Sequence, residues 1–460
     1  MTEKIKTKTK ESFFTKDPRF YKTFFRMMII VALQNLVAYS VNMADNIMLG
    51  SYDQSALSGA ATVNQIFFMV QQFALSIGNA LVVLASQYWG EHRIEPIRTL
   101  TGIALKLGII CSVIIIALCT FIPVPLLKLF TDSPEIVEEG LRYLSLIKWT
   151  FALFIITNVL MAALRSVGTV NISFYISIVS LIVNVVINYT LIFGKFGFPE
   201  MGILGAAVGT FIARILEFVI VLVYIIKVDQ KMQLFSGGLF KADKGLRKDY
   251  TKVTIPIMLS QVLWGVSVPM QTAILGHLSA DAIAANSVAT TFYQYLKVIV
   301  IAMSSTSAVM IGNAIGRGDM QRIKSDARTM SVIDVAIGLV LGLALFLLRY
   351  PLLSLYNLSD TATTMALNLI IIMSFIMVGM SYQMPVSFGI IQGGGDTGFT
   401  MKMNMISTWA IVMPLSFMAA FWWKWPVEAV VIVIQSDQIF KGLPTFIRFR
   451  GYKWIKKLTK

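Results

Sequence analysis

Acidic and amide side chains embedded in apolar runs are where this sequence could do chemistry. Asp45 lies in the run 27–50 beside Asn42, Ala44 and Asn46, and no Lys or Arg lies between Arg26 and Arg93. A carboxylate so placed has no local counter-ion, which suits it to exchanging a proton for another cation near neutral pH. Asn184 and Asn188 are four apart, on one face of a helix. Thr210 follows the small-residue run Gly205-Ala206-Ala207. Neutral oxygens of this kind hold Na⁺ or a hydrogen-bonded water, or glue closely packed helices together. Arg214 with Glu217 and Asp437 with Lys441 are spaced to pair on a helix. Lys106 and Lys148 fall near the ends of their runs and can snorkel. Asp334 is expected about one turn inside its run, towards the cytoplasmic interface. Lys297 lies deep in another and must face a watery cavity or a carboxylate elsewhere.

The elements that position these residues follow from hydropathy. Of 460 residues, 56% are apolar even without glycine, and 14% are charged. A soluble domain carries about 25% charged residues, and no soluble fold of this length can hide so much apolar surface. An ordinary cytosolic enzyme, a disordered chain and a disulfide scaffold are therefore excluded. Apolar runs long enough to cross a bilayer number twelve: 27–50, 57–88, 99–121, 143–164, 171–193, 204–226, 254–276, 282–314, 329–349, 364–390, 401–423 and 426–444. The expected fold is an all-α polytopic membrane protein with twelve transmembrane helices. Cys111 and Cys119 share one apolar run and imply no bridge, and two histidines, His92 and His277, cannot build a multi-His metal site. The first run is too long for a signal-peptide core and is expected to be retained.

Charge sets the orientation. With the N-terminus inside, 29 of the 39 Lys and Arg fall in cytoplasmic segments and five in outer ones. That is a strong positive-inside bias, so both termini are expected in the cytoplasm and the chain in a plasma membrane, the inner one of a bacterium. Net charge +15 then belongs to the membrane surface rather than to nucleic acid. The polybasic tail, 445–460, is expected beside an anionic leaflet.

The chain also repeats. Leu49-Gly50 matches Leu275-Gly276, Ser55-Ala56-Leu57 matches Asp281-Ala282-Ile283, and Gly90 matches Gly316, all at an offset of 226 residues. Arg165-Ser166-Val167-Gly168-Thr169 matches Gln392-Gly393-Gly394-Gly395-Asp396 at 227. The expected organisation is a cytoplasmic tail (1–26), an N-lobe of six spans (27–226), a basic linker (227–253), a C-lobe of six spans (254–444) and the C-terminal tail. Six is even, so the two repeats run parallel around a central cavity, which is the arrangement that alternating access requires.

These residues resemble the multidrug and toxic compound extrusion (MATE) family. Asp45-Asn46-Ile47-Met48-Leu49-Gly50, Gly202-Ile203-Leu204-Gly205-Ala206-Ala207-Val208-Gly209-Thr210 and Gly393-Gly394-Gly395-Asp396-Thr397 carry the likeness, which covers nearly the whole chain. The resemblance implies an antiporter that exports amphipathic, often cationic compounds in exchange for H⁺ or Na⁺. It maps the family's first-span acid onto Asp45, its span-five pair onto Asn184 and Asn188, and its span-six threonine onto Thr210. Two departures stand out. Asn188 replaces a second carboxylate, and spans seven and ten carry Gln261, Gln271, Tyr382 and Gln383 where one branch has acids. The wall facing Asp45 is then expected from Gln34, Asn35, Tyr39, Gln261 and Trp264, and a cavity with few cations favours organic cations over anions.

Rival readings lack their residues. Gly393-Gly394-Gly395 is not followed by the Gly-Lys-Ser/Thr of a phosphate-binding loop, and no Ser-His-Asp set is visible, so the chain reads as a transporter and not an enzyme. A lipid-linked oligosaccharide flippase is the nearest alternative, but the spans offer few basic groups for a pyrophosphate. A channel needs a polar filter and a receptor a ligand domain. No cofactor is expected beyond the coupling ion. The expected partners are small-molecule substrates and the lipid bilayer, with the chain a monomer.

Overall fold

Long apolar runs of Leu, Ile, Val and Phe become helices because a helix alone satisfies every backbone group within the segment that crosses lipid. In the computed structural model, which describes residues 13–459 except 277, 279, 355 and 357, all twelve runs are helical. They are α1 (Pro18–Tyr52), α2 (Gln54–Gly90), α3 (Ile94–Phe121), α4 (Pro134–Ser166), α5 (Asn171–Ile192), α6 (Ile203–Lys227), α7 (Lys244–Leu275), α8 (Ala284–Arg317), α9 (Met320–Leu353), α10 (Asp360–Ile391), α11 (Thr397–Trp422) and α12 (Val427–Arg450). Most outrun their apolar stretch. The 37 residues of α2 span about 55 Å at 1.5 Å per residue, against a hydrocarbon core of about 30 Å. Local signals set the ends. Asp17 accepts from the Arg19 amide at 2.9 Å, just ahead of Pro18. Asp53, the single residue between α1 and α2, accepts from the Ala56 amide at 2.8 Å.

Packing follows the repeat. In the first half α2 lies on α4 and α3, α4 on α6, α6 on α5 and α5 on α1. In the second, α8, α9 and α10 pack on one another, α7 on α11 and α10 on α12. The seam between halves is built from α1 on α8, α2 on α7 and α2 on α8. Small residues let it close. A Cβ on Gly90 would collide with the Asn313 carbonyl oxygen and stand 2.9 Å from the Gly316 Cα. One on Gly316 would collide with the Gln87 carbonyl oxygen and stand 2.9 Å from the Gly90 Cα. The two glycines matched by the sequence repeat thus meet each other. They do so on the face that carries both chain ends, called here the terminal face.

Both tails are tied to that face. The Thr15 hydroxyl donates to Asp326 at 2.7 Å, and Arg322 pairs with Asp17 at 2.7 Å; Lys4, Lys6, Lys8 and Lys10 lie outside the described residues. The C-terminal segment differs from expectation. Instead of lying free beside lipid headgroups, it straps the two halves together. The Gln87 amide donates to the Lys456 carbonyl at 3.1 Å and its oxygen accepts from the Leu458 amide at 2.8 Å. Lys457 pairs with Glu91 at 2.9 Å, and Lys456 and Arg448 both hold Asp396. Trp454 is wholly buried and stacks on Phe449. The linker is docked as well: Met232 and Leu234 are buried, and Arg98 donates to the Met232 carbonyl at 2.8 Å.

Burial works to raise the Glu91 carboxyl, but the Thr459 hydroxyl, Lys457 and Arg93 outweigh it and hold it below the usual carboxylate range. A lowered carboxyl contributes its stabilisation above the unfolded value and loses it as pH falls through the folded one. The strap is therefore held at neutral pH and loosens in acid. Gln87→Ala removes both of its hydrogen bonds to the strap, a cost of about 1–3 kcal/mol. Faster hydrogen exchange of the 454–459 amides at unchanged helix content is the expected result.

Candidate functional site

The first half gathers its polar side chains where α1, α5 and α6 meet. Asn188 is fully buried on α5, and its amide donates to the Asp45 carboxylate of α1 at 2.6 Å and to the Asn184 carbonyl at 3.2 Å. Asn184 in turn donates to the Thr210 hydroxyl of α6 at 3.3 Å. The four residues thus form one chain, Asp45–Asn188–Asn184–Thr210, across three helices. Glycines make it possible. A Cβ on Gly205 would stand 2.7 Å from the Leu191 backbone, and one on Gly209 would occupy the place of the Asn188 carbonyl oxygen. That oxygen, buried, has no hydrogen-bond partner, so the chain has one acceptor to spare next to the carboxylate.

Two neighbours alter the electrostatics foreseen from sequence. Arg214 binds Glu217 at 2.7 Å and lies over the rings of Phe154 and Phe67, at 4.9 and 5.7 Å. Its charge also acts through space on Asp45. Asp45 is therefore not partnerless: its hydrogen bond comes from α5 and its nearest cation from α6, neither visible in the residues flanking it. Tyr143 of α4, buried, brings its hydroxyl to Thr210. Sequence reasoning missed it, since a lone tyrosine in an apolar run carries no spacing signal.

Among the described residues, no hydrogen bond joins Gln34, Asn35, Tyr39, Gln261 or Trp264, the residues expected to face Asp45, to its carboxylate, which is held by Asn188. Trp264 of α7 stands at the seam, 6.0 Å from the Phe68 ring of α2, with the Lys297 ammonium 5.3 Å from the centre of its own ring. Gln34, Asn35 and Gln261 are half-buried and Tyr39 is 40% exposed. In the second half Asp437 and Lys441 pair at 2.6 Å as their spacing implies, and Lys441 also donates to Asn404, which donates to Ser260. Asp334 is fourteen residues into α9 and wholly buried. The helix runs on past the apolar stretch through Met320–Ser331, so the end of the hydrophobic run does not mark the end of the helix.

Known proteins match both sequence and fold. The MatE family profile matches residues 31–190 and 256–418. A probable multidrug resistance protein NorM of Thermotoga maritima is 24% identical over 441 residues, covering 96% of this chain and 94% of its own. An uncharacterized transporter, YisQ, of Bacillus subtilis is 24% identical over 417 residues, covering 90% of each. Among solved structures, the D35N mutant of the Vibrio cholerae MATE transporter VcmN aligns with a TM-score of 0.86 at 18% identity, covering 96% of this chain and 98% of that one. A MOP superfamily transporter from Pyrococcus furiosus aligns at 0.85 and 17% identity, covering 97% and 99%. With the profile spanning most of the sequence and twelve helices of matching fold, the chain belongs to the MATE family of multidrug extrusion transporters, which are secondary transporters and not enzymes.

Proposed function

We propose that this transporter exports amphipathic organic cations in exchange for H⁺ or Na⁺ bound at Asp45. The observation that carries this reading is the hydrogen-bonded chain from Asp45 to Thr210. It ties the carboxylate to three helices, so a change of charge on Asp45 is felt by α5 and α6 together. Asn188 suits the role because a primary amide offers NH₂ to a carboxylate or C=O to its acid form. The ion and a cationic substrate compete for one negative group, so loading one expels the other. Residues 27–226 and 254–444 then act as two lobes, joined by 227–253, that rock about the seam to face either side in turn. The excess of Lys and Arg on the terminal face supports placing it in the cytoplasm. Arg214 and Lys441 are each committed to a carboxylate, which favours this reading over a pyrophosphate-binding flippase.

Purified protein in liposomes tests it. An imposed ΔpH or Na⁺ gradient should drive saturable movement of an ethidium-like cation, and whichever gradient works names the ion. No response to either would overturn the reading. Asn184→Ala and Asn188→Ala each remove one neutral ligand. They should weaken the ion dependence severalfold while leaving insertion intact, as read by the gradient needed for half-maximal flux.

A further inference from the structure

Asp334 has no counterpart in the first half. At the repeat's offset of 226 its equivalent is Gly108, which packs against Ile155 and holds no polar group. The Asp334 side chain is 0% exposed, and both carboxyl oxygens are buried with no hydrogen-bond partner. Fourteen residues into α9 place it about 21 Å along that helix.

Its surroundings are unusually close-packed. One turn on, Gly338 lies against the Ser381 side chain of α10, and a Cβ on Gly342 would stand 2.6 Å from the Ser374 carbonyl oxygen. This antiparallel register carries Asp334 level with Pro385, where α10 widens into a π-helical stretch, Pro385–Ile391. Such stretches occur frequently at functional sites. The Ser381 and Tyr382 hydroxyls beside it are also buried without partners. Charged groups do not approach from the packed helices. Residues 301–316 of α8 contain none that titrates, residues 372–391 of α10 contain only Tyr382, and on α9 itself the nearest are Arg328 and Asp326, about two turns away.

We propose that Asp334 is a second proton-binding site, in the second half of the chain and separate from Asp45. A carboxylate at this position would be a buried charge with neither hydrogen bond nor counter-ion, an arrangement proteins avoid. The acid form removes the charge. A metal cation is not favoured, because it needs several oxygens around it and no group of three or more His, Cys, Asp or Glu side chains that could hold one exists among the described residues. Exchange requires the proton to leave in another state, and α9 sliding on α10 along its own Gly338 and Gly342 would expose the carboxyl beside the π-helical stretch. Where Asp45 also takes H⁺, each cycle carries two protons inward, one on each carboxylate.

The proposal rests on the exchange reading above, and one experiment separates their failures. Protons moved per substrate are counted in liposomes under an imposed ΔpH, for wild type, Asp334→Asn and Asp334→Glu. Two per substrate in the wild type, falling to one in Asp334→Asn and returning to two in Asp334→Glu, is the expected result. Driven transport with the same count in Asp334→Asn overturns the second site alone. Transport driven by a Na⁺ gradient with no response to ΔpH overturns the second proton site alone, and no transport driven by either gradient in the wild type overturns the exchange reading. Infrared difference spectra keep the proposal open to refutation if Asp334→Asn folds poorly. The carbonyl band of a protonated, unbonded carboxyl should be present in the wild type and in Asp45→Asn and absent from Asp334→Leu. Its absence from the wild type, or Na⁺ binding abolished by Asp334→Leu, would overturn the proton assignment.

Discussion

Asp45→Asn is expected to yield folded, membrane-inserted protein that no longer concentrates substrate against an ion gradient. Asparagine keeps the size of the side chain and can still accept from Asn188, whose amide reaches position 45 at 2.6 Å in the native protein. It removes only the charge and the titration. Folding should not suffer, because the nearest cation, Arg214, is already paired with Glu217 at 2.7 Å. The lost quantity is the work done by the ion. Exchange of one monovalent ion for one organic cation moves no net charge, so the work comes from the ion's own concentration gradient. A tenfold gradient is worth about 1.4 kcal/mol, so roughly tenfold accumulation per pH unit or per decade of Na⁺ should disappear. The Asp334 site does not replace it, since only at Asp45 do ion and substrate contend for the same group. Equal gradient-driven efflux by wild type and Asp45→Asn, at matched amounts in liposomes, would show that coupling resides elsewhere.

Gly316→Val should disable transport by a different route. Its Cβ would collide with the Gln87 carbonyl oxygen, and the Gly90 Cα would be 2.9 Å away. Both obstacles are backbone, so no rotamer change relieves them. Overpacking of this kind costs about 1–3 kcal/mol, and here the seam opens on the terminal face while Gln87 loses its hold on the strap. Lower thermal stability and at least about tenfold slower flux are expected. Gly398→Ala and Gly442→Ala are the controls. Both glycines are helical with open space where a Cβ would go, and removing a helical glycine should gain about 0.5–1 kcal/mol. If Gly316→Val matched these controls in stability and flux, the contact would not be what holds the seam closed.

Twelve spans and their pairing into a repeat were legible because hydropathy and offset are properties of the chain read end to end. The members of the chain from Asp45 to Thr210 could be picked out from sequence, since Asn184 and Asn188 share a helix face and Thr210 follows the glycines that bring its helix close, but their bonding to one another could not. Tertiary electrostatics were not. Arg214 reaches Asp45 from a helix 169 residues later in the sequence, and no local pattern announces that. The C-terminal strap was misread for the same reason. Six basic residues in sixteen look like a membrane-surface tail, but the carboxylates that hold it, Glu91 and Asp396, stand in turns far upstream. The full burial of Asp334 was not legible either, because it comes from α8 and α10, which pack on α9 from elsewhere in the chain.

The contact of Gly90 with Gly316 bears on how the molecule arose. Exchange the two halves and the seam maps onto itself: α1 on α8 becomes α7 on α2, and α2 on α8 is its own image. That is the isologous interface of a twofold dimer, written into a single polypeptide. A six-helix ancestor would have met its own copy glycine to glycine, and any side chain added there would have struck its twin. In a fused pair of such copies, positions away from the axis are free to differ, as Asp45 differs from Gln271 and Asp334 from Gly108. On the axis each residue is the other's partner, so fusion brought those two glycines no such freedom.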